Sequence, residues 1–266
     1  MPRSMRSLLV DGFVGMPMID IVWVLAVMFF ASFVQSIGGF GFALLAVPLA
    51  ALIVDLELAV IAVSIGSLFN VIILSLRTRR DVNREVAVRF NVAALLGMPI
   101  GVYVLETTPQ RPLKVALGAV IILATLALIE GTKRLQNLGS SWPSPKRVVE
   151  ITAGWISGVL STATGTNGPP LVLALNLRRL QPDVFRATLA ITFAVSGAVS
   201  MMFFVAFGMV TRQAVLLASA AVPLILAGQA IGLRVQPRLS EKRFDRLVYV
   251  LLLASGLSVA MSGLLG

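Results

Sequence analysis

The chain contains no cysteine and no histidine. Disulfide bonds, thiol catalysis, a Cys/His zinc site and a histidine proton relay are therefore excluded. Charged residues are scarce, at 13% of the chain, whereas a soluble domain carries about 25%. Without a histidine, a cysteine or a buried acidic pair, general acid–base or metal catalysis is not expected. The sequence therefore predicts no enzyme, no metal site and no cofactor.

Hydrophobic residues are abundant instead. They make up 58% of the 266 residues, and the mean hydropathy is +0.94. Continuous apolar runs such as 19–33, 59–76 and 247–265 have the length of helices that cross a bilayer. No run shows the residue-by-residue alternation of an outer-membrane barrel strand. These features predict a single all-α integral membrane domain, with the lipid bilayer as its surroundings.

The net charge of +10 raises the question of a nucleic-acid partner. The basic residues lie in short loops between apolar runs, where orientation in the membrane explains them. No basic stretch alternates with exposed aromatic residues, so nucleic-acid binding is not expected. The N-terminal stretch begins with basic residues, but Asp11, Gly12 and Pro17 interrupt its apolar part. A cleaved signal peptide is therefore not expected.

Ten apolar segments follow one another along the chain. Segments two and seven are shorter than the roughly 20 residues that a bilayer core requires, and each begins on a glycine-rich stretch. The other eight are long enough to cross alone. The segments are 19–36, 40–54, 57–76, 86–105, 113–130, 148–163, 168–177, 187–209, 213–233 and 245–264.

The short segments occupy the second place of each set of five, which predicts an internal repeat. Residues 35–39 lie over 161–165 when the halves are superposed, and residues 96–101 lie over 227–232. A polar stretch, 131–147, separates the halves. The predicted organisation is an N-terminal tail at 1–18, a first repeat at 19–130, a cytoplasmic loop at 131–147 and a second repeat at 148–266.

The distribution of Lys and Arg predicts how the segments cross, because cytoplasmic loops carry the excess. If all ten segments cross and the N-terminus faces outward, 17 of the 22 basic residues lie inside. If the two short segments re-enter without crossing, the division is 12 to 10. The ten-crossing arrangement is favoured, and five crossings per half make the repeats inverted. The residues left outside are Arg3, Arg6, Arg111, Lys114 and Arg212.

The glycine-rich starts of the two short segments are the candidate site. A helix that begins inside the membrane exposes unpaired N–H groups and its positive dipole end, which suits an anion. The simpler interpretation is that the glycines only allow close helix packing, but two such breaks at matching places favour a site. The candidate substrate-binding residues are Gln35, Ser36, Gly38, Gly39, Gly41, Thr162, Thr164, Gly165, Thr166, Asn167 and Gly168.

Four further polar residues within long segments are candidates of lower rank to line a pore: Asn70, Asn91, Ser196 and Gln229. An isolated amide there is more often an interhelical hydrogen bond than a ligand contact. No Asp or Glu lies in the middle of a segment. A carboxylate for cation coordination is thus absent from the spans, which favours an anionic substrate and leaves no evident proton carrier.

The stretch Gly38-Gly-Phe-Gly-Phe-Ala-Leu-Leu-Ala-Val-Pro48 resembles the first signature of the sulfite exporter TauE/SafE family. Thr164-Gly-Thr-Asn-Gly-Pro-Pro170 is similar to the second signature of that family, with Asn167 where glycine is common. The resemblance covers roughly 20–264. It implies a multi-pass protein of the bacterial inner membrane that exports or takes up sulfite, sulfonates or related organic acids. The family is described with fewer spans than ten.

The leading hypothesis is a secondary transporter, expected to be an exporter, of a small anion, with one half rocking against the other. A coupling ion, H⁺ or Na⁺, is left open. One alternative is an anion channel with the same fold, which would conduct single-channel currents. Another is a non-transporting membrane scaffold, which would not explain two matched glycine breaks.

Overall fold

The computed structural model describes residues 16–39, 41–78, 81–138, 146–178, 180–236 and 241–265. These residues form helices joined by short connections, and none of them lies in a strand. Each predicted apolar segment corresponds to one helix. The helices are α1 (Met18–Gly38), α2 (Phe42–Ala50), α3 (Leu56–Thr78), α4 (Arg84–Thr107), α5 (Gln110–Leu138), α6 (Lys146–Thr164), α7 (Gly168–Arg178), α8 (Pro182–Ala206), α9 (Arg212–Val235) and α10 (Glu241–Leu265).

Seven of the helices in the described residues are long and apolar enough to cross a membrane: α1, α3, α4, α5, α8, α9 and α10. The two short helices α2 and α7 have only 9 and 11 residues. Helix α6 was predicted to cross alone, and its 19 residues have almost the necessary length. Its first turns contain Lys146, Arg147 and Glu150, and threonine, serine and glycine follow. Helix α6 therefore has no stretch as apolar as those found in the seven helices.

Each short helix folds back along the helix before it. The indole Nε1 of Trp23, near the start of α1, donates to the carbonyl of Leu49 near the end of α2 at 2.9 Å. In the second half, Glu150 near the start of α6 pairs with Arg178 at the end of α7. The far end of α2 and the far end of α7 are therefore both anchored to the first turns of their preceding helices.

Glycines make the reversals possible. Gly39 caps α1 with φ of 80°, and Gly41 precedes α2 with φ of 105°. Gly165, directly after α6, has φ of 69°. These left-handed conformations are costly for residues with a Cβ atom. The glycine-rich stretches identified in the sequence are thus the two breaks between a long helix and a short one.

The helix contacts are nearly unchanged when the first five helices are exchanged with the last five. Helix α1 packs along α9, and its counterpart α6 packs along α4. Helix α3 contacts α9, and α8 contacts α4. The pairs α3–α8 and α5–α10 each join one helix of the first half to its counterpart in the second. The two halves therefore have the same packing plan and share one interface.

Small residues bring the helices of this interface together. A Cβ atom added to Gly228 of α9 would lie 2.5 Å from the carbonyl oxygen of Phe29 in α1. A Cβ atom on Gly97, the counterpart of Gly228 in α4, would overlap the carbonyl oxygen of Trp155 in α6. Close approach of backbones through small residues is a main source of helix association in membranes.

The two ends of the bundle differ in charge. At one end the starts of α4, α6 and α8 and the ends of α7 and α9 meet, and Arg89, Glu150 and Arg178 form an ionic cluster there. The backbone N–H of Asn83 at the start of α4 donates to Thr188 Oγ1 at the start of α8 at 3.0 Å. We call this the basic end. Asp55 and Gln110, before α3 and at the start of α5, are hydrogen-bonded at 3.0 Å at the opposite end.

The outer surface of the bundle is apolar along its length. Leu96 of α4, Met202 of α8 and Leu264 of α10 are exposed to 68%, 70% and 72%. Exposed leucine and methionine on so many helices are unfavourable in water and suit contact with lipid acyl chains. The surface therefore agrees with the composition in indicating a membrane-embedded bundle.

Candidate anion-binding cavity

A polar cavity lies where the two breaks meet. Its walls include the middle of α3 and the middle of α8, so it lies about halfway along the bundle. Both halves contribute to it. The described residues that line it are Gln35, Gly41, Phe42, Ala43, Leu44, Ser64, Ser67, Val71, Ser161, Gly165, Thr166, Asn167, Gly168, Phe193, Gly197 and Ser200.

The cavity is small and its described lining carries no charge. Its volume is about 50 Å³, several times the roughly 10–15 Å³ that one water molecule requires. It therefore has room for a few waters or for a ligand of a few heavy atoms. Hydroxyl groups, amide groups and main-chain N–H groups supply its polarity, so it stabilises a ligand with dipoles rather than with counter-charges.

The start of α2 supplies main-chain donors to this cavity. The first helical hydrogen bond of α2 runs from Leu45 N–H to Gly41 O at 3.1 Å. The N–H groups of Phe42, Ala43 and Leu44 precede it, and no side chain caps them. All three residues line the cavity. Unpaired N–H groups at the positive end of a helix dipole form an anion site.

The start of α7 is chemically different. Its first three residues are Gly168, Pro169 and Pro170, and proline has no N–H group. Only Gly168 of these three has a main-chain donor, whereas the corresponding turn of α2 has three. The two breaks are therefore matched in position but not in donor number, and the start of α2 has the larger number of main-chain donors.

Asn167 supplies the second half's contribution instead. Its side-chain Nδ2 donates to Ser196 Oγ at 2.8 Å, and its carbonyl oxygen accepts from Ser157 Oγ at 2.7 Å. The backbone N–H of Thr166, just before it, donates to Leu160 O at 3.3 Å. These bonds hold the loop between α6 and α7 against both α6 and α8. The position of this part of the cavity lining is therefore fixed by those two helices.

Each half also ties its first helix to its third with one polar pair. In the first half, Asn70 Nδ2 of α3 donates to Gln35 Oε1 of α1, and both residues are buried. In the second half, the hydroxyls of Ser161 in α6 and Ser200 in α8 are hydrogen-bonded at 2.9 Å. Gln35 Nε2 donates no hydrogen bond within the described chain. It is therefore a free donor at the cavity wall.

The cavity brings together part of the predicted site. Gly38 is the last residue of α1, and Gly39 follows it in the turn between α1 and α2. Six of the eleven candidate residues line the cavity: Gln35, Gly41, Gly165, Thr166, Asn167 and Gly168.

Three predicted hydroxyls are engaged elsewhere. Ser36 Oγ donates to the carbonyl four residues earlier in α1 at 2.7 Å, and Thr162 Oγ1 donates to Met98 O in α4 at 2.7 Å. Thr164 Oγ1 lies 2.9 Å from the carbonyl four residues earlier and 2.7 Å from Thr166 Oγ1. The Ser36 bond lies within α1, the Thr162 bond joins α6 to α4, and Thr164 supports the cavity residue Thr166.

Of the four residues predicted with lower rank to line a pore, three support the residues of the cavity lining and one lies away from it. Asn70 and Ser196 hold Gln35 and Asn167, which line the cavity. Gln229 Nε2 donates to Asn70 O at 3.3 Å and supports it from α9. Asn91 Nδ2 donates to the carbonyl four residues earlier in α4, away from the cavity lining.

Sequence reasoning missed Ser64, Ser67 and Ser200, which line the cavity from α3 and α8. Each is a single serine in a long apolar segment, and such serines commonly hydrogen-bond within their own helix. The spacing of Ser64, Ser67 and Val71 places them on one face of α3. In the sequence, this shared face is the only indication that these residues line a cavity. It can be interpreted only when the helices that pack beside α3 are known.

Long apolar helices packed around a cavity whose described lining is uncharged define a multi-pass helical membrane protein. The chain belongs to the sulfite exporter TauE/SafE family, a family of membrane transporters, whose sequence model matches residues 24–259. The resemblance found in the two glycine-rich stretches is therefore confirmed.

One curated relative carries a more particular name. The chain is 26% identical over 174 residues to the probable sulfite/organosulfonate exporter TauE of Cupriavidus necator. The aligned part covers 64% of this chain and 65% of that protein. No solved structure matches the chain.

Proposed function

We propose that this protein is a secondary transporter that exports a small sulfur oxyanion, a sulfonate or a related organic acid across the bacterial cytoplasmic membrane. One observation carries the proposal: Phe42, Ala43 and Leu44, whose N–H groups have no hydrogen-bond partner among the described residues, line a cavity built jointly by both halves. A helix start buried in a bundle requires a polar partner for these groups. An anion provides it.

The geometry favours an oxyanion over a halide or a cation. Ser64, Ser67, Thr166 and Gln35 line the same cavity as the start of α2. Hydroxyl and amide groups can donate to several oxygens of one ligand at once. A sulfite or sulfonate group presents three such oxygens. The name of the Cupriavidus necator relative agrees with this class of substrate.

The matched helix contacts support inverted repeats and alternating access. The starts of α1 and α6 lie at opposite ends of the bundle, as do the ends of α2 and α7. A site between two such halves is opened to one side and then the other when the halves rock. On this proposal the basic end faces the cytoplasm, in keeping with the excess of Lys and Arg inside.

Cysteine labelling tests this topology, because the chain has no native cysteine. Ile53→Cys and Gln181→Cys place one thiol each in the exposed connections after α2 and after α7. We expect a membrane-impermeant maleimide to label residue 53 from outside whole cells and residue 181 only after permeabilisation. Labelling of both from the same side contradicts inverted repeats and indicates that the short helices return without crossing.

Ala43→Pro tests the anion site. It removes one N–H from the start of α2 and places a proline at the second residue of the helix, where α7 has Pro169. Because charge-assisted hydrogen bonds contribute about 1.5–3 kcal/mol, we expect the apparent affinity for the transported anion to fall by roughly tenfold to a hundredfold. The measurement is uptake of labelled sulfite and methanesulfonate into proteoliposomes.

Ala43→Gly is the matched control, because it changes the same residue and keeps the N–H. We expect it to transport with an affinity within about threefold of wild type, since only a small packing change is involved. Equal affinities of the proline and glycine variants would show that the α2 start does not bind the anion. Failure of wild type to transport any small anion would overturn the proposed function itself.

The channel alternative and the scaffold alternative predict different outcomes in simple measurements. A channel gives unitary currents in planar bilayers and no saturation at modest anion concentration, whereas a carrier saturates. A scaffold shows no thermal stabilisation by any small anion, because only a ligand that binds the folded state raises its stability. A screen of small anions by thermal shift separates the scaffold from the other two.

A further inference from the structure

One arginine lies above the cavity on the face of α8 that forms its wall. Phe193, Gly197 and Ser200 line the cavity, and Arg186 precedes Phe193 by seven residues, which is two helical turns. It therefore lies on the same face of α8, about 10 Å along the axis at a rise of 1.5 Å per residue. Its position is toward the basic end.

Arg186 also lies directly beside the break between α1 and α2. A Cβ atom on Gly39 would be 3.7 Å from Arg186 Cγ. The guanidinium is held from the other side by Gln236 at the end of α9. With its amide oriented to satisfy both groups, Gln236 Oε1 accepts from the two terminal nitrogens at 2.6 and 3.1 Å. Arg186 therefore lies between the turn that joins α1 to α2 and the end of α9.

Among the described residues, no carboxylate neutralises the charge of Arg186. It makes no ion pair with a carboxylate in the described part of the chain, and a neutral amide is its partner. The side chain is half-buried. A partly desolvated guanidinium without a counter-ion is an attractive point for an anion.

The other break has uncharged neighbours. Gly165 is the counterpart of Gly39, and a Cβ atom there would lie 3.2 Å from Val47, 3.6 Å from Ser64 Oγ and 3.7 Å from Val60. Both valines are completely buried. The two breaks are therefore unlike: an arginine lies beside one, and two valines and a serine lie nearest the other.

We propose that Arg186 is the residue that captures the anion at the basic end and passes it to the donors at the start of α2. This rests on the proposed transport function. The cavity itself has no charge to attract an anion from water, and a single cation at its entrance raises the local anion concentration and the entry rate. Arg186 therefore sets preference for anions over neutral solutes, while the cavity donors select the shape.

The test compares Arg186→Gln, Arg186→Lys and Arg234→Gln. Arg234 is an exposed arginine of α9 at the same end, so its substitution removes equal charge from the surface. Whichever of sulfite and methanesulfonate the wild type transports is presented at the basic end in vesicles of known orientation. Initial rates are measured at 20 mM and at 500 mM salt.

At low salt we expect kcat/KM to fall roughly tenfold in Arg186→Gln and less than twofold in Arg234→Gln. The lysine variant keeps the charge and stays within about threefold. At high salt the difference between wild type and Arg186→Gln shrinks to about twofold, because salt screens the attraction. A loss caused only by altered packing would not depend on salt.

Two outcomes overturn the inference. One is a glutamine variant with the kcat/KM of the Arg234 control at both salt concentrations, and the other is a loss that is the same at both concentrations and is not rescued by lysine. In either case wild-type transport still stands. Absence of transport by the wild type itself would instead contradict the proposed function.

Discussion

Gly158→Leu should prevent the protein from folding into a stable bundle. Gly158 of α6 faces α4, and even a Cβ atom there would overlap the carbonyl oxygen of Ala94 and lie 2.8 Å from its Cα. Main-chain atoms cannot move aside as a side chain can. A leucine would force α4 and α6 apart, and these two helices have one of the most extensive contacts of the fold. We expect no monodisperse peak in size-exclusion chromatography.

Gly158→Ala should be intermediate, with a loss of about 1–3 kcal/mol, the usual cost of overpacking. The control is Gly197→Ala in α8, where the new methyl group would meet only Leu68 Cδ1 at 3.4 Å. That variant should be recovered at wild-type yield, although its place in the cavity wall makes it unsuitable as a transport control. Wild-type yield of Gly158→Leu would show that α4 and α6 do not pack as described.

Glu150→Leu should lower the stability by about 3 kcal/mol, because it leaves positive charge partly buried without its partner. Glu150 is 1% exposed, and its carboxylate accepts from Arg178 and, at 3.2 Å, from Arg89 Nη1. The arginine side chains are 22% and 23% exposed. Thermal denaturation in detergent measures the effect as a lower midpoint.

Glu85→Gln is the control for this experiment. Glu85 also pairs with Arg89, but its side chain is 62% exposed, and an exposed pair within one helix contributes about 0.3–0.5 kcal/mol. Its midpoint should stay close to wild type. Replacing Glu150, Arg89 and Arg178 together by leucine should recover much of the loss, since no charge is then left unpaired. Equal midpoints for Glu150→Leu and Glu85→Gln would contradict the role of the cluster.

The helices could be predicted from the sequence because their apolar runs are long and the bilayer sets their length. All ten segments became helices, and both glycine-rich stretches became breaks. The boundaries were less predictable. The segment at 40–54 contains the shorter helix Phe42–Ala50, because the apolar residues that follow form the turn into α3.

Neighbouring residues near the two breaks show why the residues that line the cavity could only partly be predicted from the sequence. Gln35 lines the cavity, whereas Ser36 faces α9 and bonds within its own helix. Successive residues in a helix point about 100° apart, so proximity to a break does not determine which side chain reaches the cavity. The same reason separates Ser161, which lines the cavity, from Thr162, which bonds to α4.

If the cavity binds the transported anion as proposed, its described, uncharged lining determines how membrane voltage acts on transport. The described residues around it have no ionised side chain that would compensate the charge of a bound anion. An empty carrier then moves no charge at the site, and a carrier holding a monovalent anion moves one negative charge. A potential of 100 mV, negative inside, contributes about 2.3 kcal/mol to outward movement of that charge. On the transport function proposed above, the voltage of an energised cell thus favours export even when no second ion is bound.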